Sequence, residues 1–281
     1  MAGAAGEVRE ALASATDALR AAGVDSPRLD AELLLAAATG RDRAALAAAP
    51  EAPVSASAGR SFGASVRRRV AREPLAYILG RRGFRRIELE VDSRCLIPRP
   101  ETELLVELAV ELEPRTVLDV GTGSGAIALA VADELPGCTV VGTDISRAAL
   151  AVAELNAERL GLGERVSFEL GTIPAHDRFD LVLANLPYVR SDEWGSLEPE
   201  ITRFEPRSAL LAGEDGLLAI RSLLAALSDP GAAGLRCDAI ALEVGAGQAQ
   251  AVAALLEGAG FAAEPRVDLA GIDRCVVGRR S

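Results

Sequence analysis

Thr116-Val117-Leu118-Asp119-Val120-Gly121-Thr122-Gly123-Ser124-Gly125 joins an apolar run to a glycine-rich turn, and the architecture of the chain follows from it. Thr116 to Val120 reads as a short buried strand, and the residues from Gly125 to Asp133 read as a helix. Between them, glycines at alternate positions let the backbone turn tightly and let a ligand approach without a Cβ in the way. The spacing is G-x-G-x-G, not the G-x-G-x-x-G of dinucleotide folds. A bare strand-to-helix turn would also use these letters, so the surrounding pattern has to discriminate.

Downstream, Thr139 to Thr143 is a second strand and Arg147 to Leu160 a second helix. Val166 to Glu169, Leu181 to Ala184, Ala239 to Val244 and Arg274 to Val277 supply further strands, and Glu103 to Glu111 a helix before the first. Apolar strands separated by helices predict an α/β domain with a mainly parallel sheet covered on both faces. Right-handed crossovers then collect every strand's C-terminal end on one edge, where ligands bind.

Upstream the pattern is helical. Val8, Leu12 and Ala15 recur at helical spacing, as do Leu29, Leu33 and Leu34. Ser26-Pro27 reads as a cap followed by a first-turn proline, with Glu32 supporting that turn. Residues 49–53 read as a linker, and Ser61 to Arg72 as a further helix. Between Pro74 and Pro98, Ile87, Leu89 and Val91 alternate with charged residues, as one arm of a hairpin does.

Composition excludes several classes. All thirty basic residues are arginine, and the formal net charge of −11 opposes coating of nucleic acid. No run of about 18 apolar residues predicts a membrane span, and the N-terminus lacks the pattern of a secretory signal. Cys95, Cys138, Cys237 and Cys275 stand apart, with no CxxC pair, as reduced buried cysteines would in a cytoplasmic protein. His176 is the only histidine, in a polar turn. A histidine-rich metal site is therefore excluded, and no G-x-S-x-G elbow accompanies it.

Two further features carry chemistry. Asp144 ends the second strand nineteen positions after Gly125, where a carboxylate can accept from both hydroxyls of a ribose. That spacing is shared with NAD enzymes, so it specifies a ribose and not which cofactor. Asn185-Leu186-Pro187-Tyr188 follows a strand at the ligand edge. It resembles the (D/N/S)-PP-(Y/F) tetrapeptide of enzymes that methylate nitrogen conjugated to a π system. The lone pair of such a nitrogen is delocalised, so it must be oriented. The Asn185 side-chain oxygen and the Leu186 carbonyl would face its two hydrogens, Pro187 fixes the turn, and Tyr188 packs on the planar group. Asp119, two positions before Gly121, is similar to the acid of S-adenosylmethionine-binding glycine loops.

The chain as a whole resembles the glutamine-N5 methyltransferases of class 1 peptide-chain release factors, the family called PrmC or HemK. The resembling segments are Ser26 to Glu32, Arg72 to Gly80, Leu96 to Glu103, the glycine loop, Asn185 to Tyr188, Phe204 to Leu210 and Gly271 to Arg274. The resemblance implies a small helical substrate-recognition domain over 1–73 and a β-hairpin connector over 74–98. A Rossmann-like class I methyltransferase domain with a mainly parallel seven-stranded sheet would cover 99–281. It further implies methyl transfer from S-adenosylmethionine, leaving S-adenosylhomocysteine, to the glutamine of the release-factor Gly-Gly-Gln loop. The partner would be that loop in the cytoplasm, with neither membrane nor direct nucleic-acid contact.

By the same resemblance Asp119, Gly121, Thr122, Gly123, Ser124 and Gly125 hold the cofactor, together with Asp144, Ile145, Thr172 and Asn185. Asn185, Leu186, Pro187 and Tyr188 are the catalytic and substrate residues, Pro98 to Thr102 roof the cofactor, and no metal is implied. Two departures stand out. Leu186 replaces the usual proline, and Asn-Leu-Pro-Tyr is also a form found in adenine-N6 methyltransferases. Residues Leu170 to Ile173 lack the acidic-aromatic pair that usually flanks the adenine, leaving Ile173 or a backbone amide to substitute. A ribosomal-protein glutamine methyltransferase and an adenine-N6 nucleic-acid methyltransferase stay open as alternatives.

Overall fold

The computed structural model describes residues 6–174, 178–228, 235–268 and 270–280, so the reading of His176 lies outside the described residues. The chain divides into two compact units, one of residues 1–80 with 198–204 and one of residues 81–197 with 205–281.

The first unit is helical. α1 (Val8–Ala21) buries Val8, Leu12, Ala15 and Leu19 on one face, as its spacing predicts. α2 (Pro27–Thr39) begins with Pro27, but the Ser26 hydroxyl makes no capping bond. The Glu32 carboxylate takes Arg28 Nε of that first turn at 2.6 Å and Arg43 Nη2 at 2.7 Å. α3 (Arg43–Ala48) is capped by Asp42, which accepts from Ala45 N. α4 (Ala56–Val70) starts ahead of the expected Ser61 because Ser55 Oγ accepts from Ala58 N and stabilises an earlier first turn. α5 (Leu75–Leu79) ends at Gly80, whose φ of 72° closes the turn. Leu19, Leu34, Leu35, Leu46 and Phe62 form the core.

The second unit opens with β1 (Arg81–Phe84) and β2 (Ile87–Glu90), an antiparallel hairpin with Phe84 opposite Ile87. Ile87 and Leu89 point inward as expected. Arg85, at the turn, donates from its backbone N to Glu103 and from its guanidinium to Glu107 and Glu134. Those three contacts pin the turn.

The remaining elements are α6 (Glu103–Leu112), β3 (Thr116–Val120), α7 (Ala126–Glu134), β4 (Thr139–Asp144), α8 (Arg147–Leu160), β5 (Val166–Leu170) and β6 (Arg178–Ala184). They continue with α9 (Pro199–Phe204), α10 (Leu218–Ser228), β7 (Arg236–Glu243), α11 (Ala249–Gly258), β8 (Phe261–Val267) and β9 (Asp273–Arg280). The seven strands run in the order β5-β4-β3-β6-β7-β9-β8. β5, β4, β3, β6 and β7 are parallel neighbours, whereas β9 is antiparallel to both β7 and β8. This is a Rossmann-like, mainly parallel sheet. Strand order reverses around β3, so the crevice for a ligand opens beyond the carboxyl ends of β3, β4 and β6.

The units do not coincide with the expected 1–73, 74–98 and 99–281. α5 groups with the helices and the hairpin with the sheet. The short segment 198–204 groups with the helices as well, because Glu200 accepts from Arg69 Nη1 at 2.7 Å and from Arg72 Nε at 2.6 Å.

Candidate active site

The glycine loop is held in place by backbone bonds. Gly121 N and Thr122 N both donate to Thr143 O, at 2.8 and 2.9 Å. Gly121 has φ 74°, and a Cβ there would stand 3.1 Å from Leu186 Cδ2. Leu186 therefore lies over the loop at Gly121, whose positive φ favours glycine. Gly125 has φ 82°, and its Cβ would meet Leu129 Cδ1 at 2.9 Å.

Asp119 is fully buried behind this loop. Its Oδ2 accepts from Thr122 Oγ1 at 2.6 Å and from Ala128 N at 3.1 Å, while Oδ1 has no partner. Burial pushes its carboxyl up to about 7, against the two hydrogen bonds. Asp144 ends β4 half-buried. Its Oδ2 accepts from Gly123 N at 3.0 Å and its Oδ1 from Ser146 N at 2.8 Å. Both oxygens are oriented by backbone donors and keep lone pairs free.

A cavity of about 350 Å³ opens here, within the range typical of small-molecule sites. Gly121, Gly123, Asp144, Ile145, Thr172, Asn185, Leu186 and Pro187 line it. Asp119, Thr122, Ser124, Gly125 and Tyr188 do not form its wall. The first four are turned inward, where Asp119 and Thr122 bond to each other and Ser124 O accepts from Asn156 Nδ2. They shape the loop from behind.

Arg94 to Leu96, in the stretch before α6, reach the wall of the cavity. Leu218, Ala219 and Ser222 of α10, a helix with no sequence motif, also line it. Ile173 packs against the hydrophobic core.

Asn185 directly follows β6 and lines the cavity. Nδ2 donates to Thr102 Oγ1 at 2.9 Å. Tyr188 O accepts from Gln248 Nε2 at 3.1 Å, and Gln248 Oε1 accepts from Gly245 N at 2.9 Å. Burial, and then the Glu243 carboxylate, push the Tyr188 hydroxyl above its ordinary range. The segments Leu96–Glu103 and Phe204–Leu210 meet at Glu205, which accepts from Ile97 N at 3.2 Å and from Arg99 Nη2.

The residues present fit S-adenosylmethionine. A Cβ at Gly121 would crowd Leu186, Asp144 is half-buried on the cavity wall with lone pairs left for a ribose, and the cavity has ordinary ligand size. Among the described residues no group of three or more His, Cys, Asp or Glu could hold a metal ion. Nor is any helix long and apolar enough to cross a membrane. All four cysteines are free and buried.

Sequence reasoning missed Asn156, Gln248 and Glu243, and it placed Thr102 in the roof over the cofactor without its bond to Asn185. The acid closing the apolar strand Ala239–Glu243 on the ligand edge was a signal that could have found Glu243.

Comparison with known proteins matches residues 10–80 to a "PrmC N-terminal domain" and residues 113–227 to a "Methyltransferase domain". The release factor glutamine methyltransferase of Moorella thermoacetica is 42% identical, over 97% of this chain and 98% of its own. That of Caulobacter vibrioides is 41% identical over 96% and 95%. The one from Bordetella pertussis is 44% identical over 88% and 93%. Among solved structures, the hMettl16 catalytic domain in complex with a MAT2A 3'UTR hairpin superposes with a TM-score of 0.54 at 13% identity. It covers 69% of this chain and 75% of that one, a likeness of fold alone.

Proposed function

The chain belongs to the release factor glutamine methyltransferase family, and from that premise we propose how its cavity performs the transfer. It is an S-adenosylmethionine-dependent methyltransferase acting on release-factor glutamine. The acceptor atom is the side-chain amide nitrogen of the Gly-Gly-Gln glutamine in class 1 release factors. The helices of residues 1–73 serve partner recognition. Release factors work on the ribosome, so the reaction takes place in the cytoplasm.

One observation carries this reading: the glycine loop, Asp144 and Asn185, from the ends of three strands, converge on a single cavity. Asp144 would take the ribose hydroxyls, and Gly121 and Gly123 the amino-acid tail. Ile145, Thr172 and Leu218 would flank the base. The cofactor, when bound, supplies a methyl group already attached to a good leaving group.

The chain's own residues do the rest by orientation and exclusion of water. Asn185 Oδ1 and the Leu186 carbonyl accept the two amide hydrogens and turn the nitrogen toward the methyl group. Leu186 supplies the same atom as a proline would. Pro187 fixes the turn, and Tyr188, held by Gln248, packs on the amide plane. The methylated amide sheds its proton readily, so no strong base is required.

The deciding experiment replaces Asn185 by Ala. Methyl transfer to a release factor should fall at least about a hundredfold, while calorimetric binding of S-adenosylmethionine stays within a few-fold. Near-normal turnover would sink the assignment. Asp144→Ala should show the converse, losing cofactor binding first.

A further inference from the structure

We propose that Thr102 and Glu243 are positioning residues that fix which way the Asn185 amide faces. This rests on the assignment of Asn185 above. Thr102 lies at the end of the turn before α6 and Glu243 at the end of β7, both 4% exposed. Asn185 Nδ2 donates to Thr102 Oγ1 at 2.9 Å, and the Glu243 carboxyl stands close enough to the Thr102 hydroxyl for its pKa to be lowered by it. Three elements distant in sequence thus meet in one buried relay.

The relay matters because an amide side chain has two orientations of nearly equal shape. In one, Asn185 presents Oδ1 to the substrate amide hydrogens. In the other it presents NH2, and donors would face donors. Thr102 alone cannot choose, since a hydroxyl donates or accepts equally well. An ionised Glu243 can only accept, so it takes the single Thr102 hydrogen. Thr102 must then accept from Asn185, which commits Nδ2 to the relay and Oδ1 to the substrate.

Glu243 is an expensive group to keep for packing alone. It is buried, and its Oε2 has no hydrogen-bond partner. The nearby cations are committed elsewhere, Arg99 to Glu205 and Arg274 to Asp268. The other titratable groups around it are Glu101, Tyr188 and Cys275. Burial pushes its carboxyl up to about 7, so at low pH a protonated Glu243 can donate and the relay loses its direction.

The test uses the full-length protein and two independent readouts. Thr102→Val keeps the shape and removes the hydroxyl. It should lower kcat about ten- to hundredfold, leaving cofactor affinity, KM for the release factor and thermal midpoint nearly unchanged. Thr102→Ser should recover most of the rate. In an Asn185→Ala background, Thr102→Val should cost nothing more, because the two act as one unit.

Separately, the Asn185 side-chain NH2 pair in a 15N spectrum, assigned by its loss in Asn185→Ala, should shift and exchange faster in Thr102→Val. In wild type it should move with pH near about 7, and Glu243→Gln should abolish that movement. Full kcat in Thr102→Val, an equal further loss in the Asn185→Ala background, or an unmoved NH2 pair would each overturn the proposal. An active Asn185→Ala would instead overturn the assignment of Asn185, with the spectrum still reporting whether Thr102 orients it.

Discussion

Arg69 Nη1 lies 2.7 Å from Glu200 Oε1, although 131 residues separate them in sequence. The same guanidinium gives Nε to Asp30 Oδ2 at 2.7 Å, and Arg69 and Asp30 are both buried. Removing one partner of a buried pair leaves the other charge uncompensated, at about 3–5 kcal/mol. Arg69→Met is therefore expected to lower the urea midpoint and to release segment 198–204. Trypsin cleavage after the exposed Arg203 should accelerate in parallel. An unchanged midpoint and cleavage rate would show that the triad does not hold this segment.

Glu200 also predicts an acid limb. Burial raises its carboxyl, but hydrogen bonds from Arg72 and Arg69 outweigh that and hold it below the ordinary value of 4.5. A lowered folded pKa gives stability that is complete above the unfolded value and is lost as pH falls through the folded one. Glu200→Gln should therefore cost stability at neutral pH and progressively less below about pH 4. A constant difference from pH 7 to pH 3 would contradict this.

Asp119 has the opposite sign. Its folded value of about 7 lies above the ordinary 3.8, so the folded protein holds a proton that the unfolded chain releases. Stability at this group falls as pH rises from about 4 to about 7. Asp119→Asn keeps an oxygen for Thr122 and Ala128 but does not titrate. The thermal midpoint of the variant minus that of wild type should grow from pH 5 to pH 8. Glu243 titrates in both proteins and cancels from that difference. A difference that is flat with pH would rule out the shift.

The parts of this fold legible in the sequence are those whose signal is local. β3, β4, α8 and the glycine loop each declare themselves within a dozen residues, through apolar runs, caps and glycines. β8 does not. It is an edge strand with only Phe261 buried and Pro265 in its interior, so it shows no apolar run and carries a residue that argues against a strand. The site divides the same way. Asn185 and Asp144 were readable because each stands at the end of a strand on the ligand edge. Thr102 stands 83 residues from Asn185, and nothing local links them. Asp119 was readable as part of the motif but not as a group turned inward, since that depends on Thr122 and the start of α7.

Leu186 tests what the tetrapeptide needs. If only its carbonyl is used, Leu186→Pro should leave kcat within about threefold. The leucine side chain has a second contact, lying over Gly121 and against the core. Losing part of that packing is worth about 1 kcal/mol, or roughly fivefold in cofactor affinity. The expected result is thus a weaker calorimetric Kd with turnover preserved at saturation. A hundredfold fall in kcat would mean that the side chain, and not the carbonyl, orients the substrate.

The glycine loop can be tested by comparing two glycines with similar backbone angles. Gly161 ends α8 with φ 69°, and a Cβ there would meet nothing within 4 Å. Gly161→Ala pays only for the left-handed backbone, about 1 kcal/mol. Gly125 has φ 82°, and its Cβ would stand 2.9 Å from Leu129 Cδ1 and 3.3 Å from Ala153 Cβ. Both neighbours are buried in helices, so neither can give way freely. Overpacking should add about 1–3 kcal/mol to the backbone term. Gly125→Ala is therefore expected to lower the thermal midpoint more than Gly161→Ala by several degrees, and to weaken S-adenosylmethionine binding, which Gly161→Ala should leave intact. Equal midpoints would mean that α7 can move off the loop, and then Gly125 would be needed for its backbone angle alone.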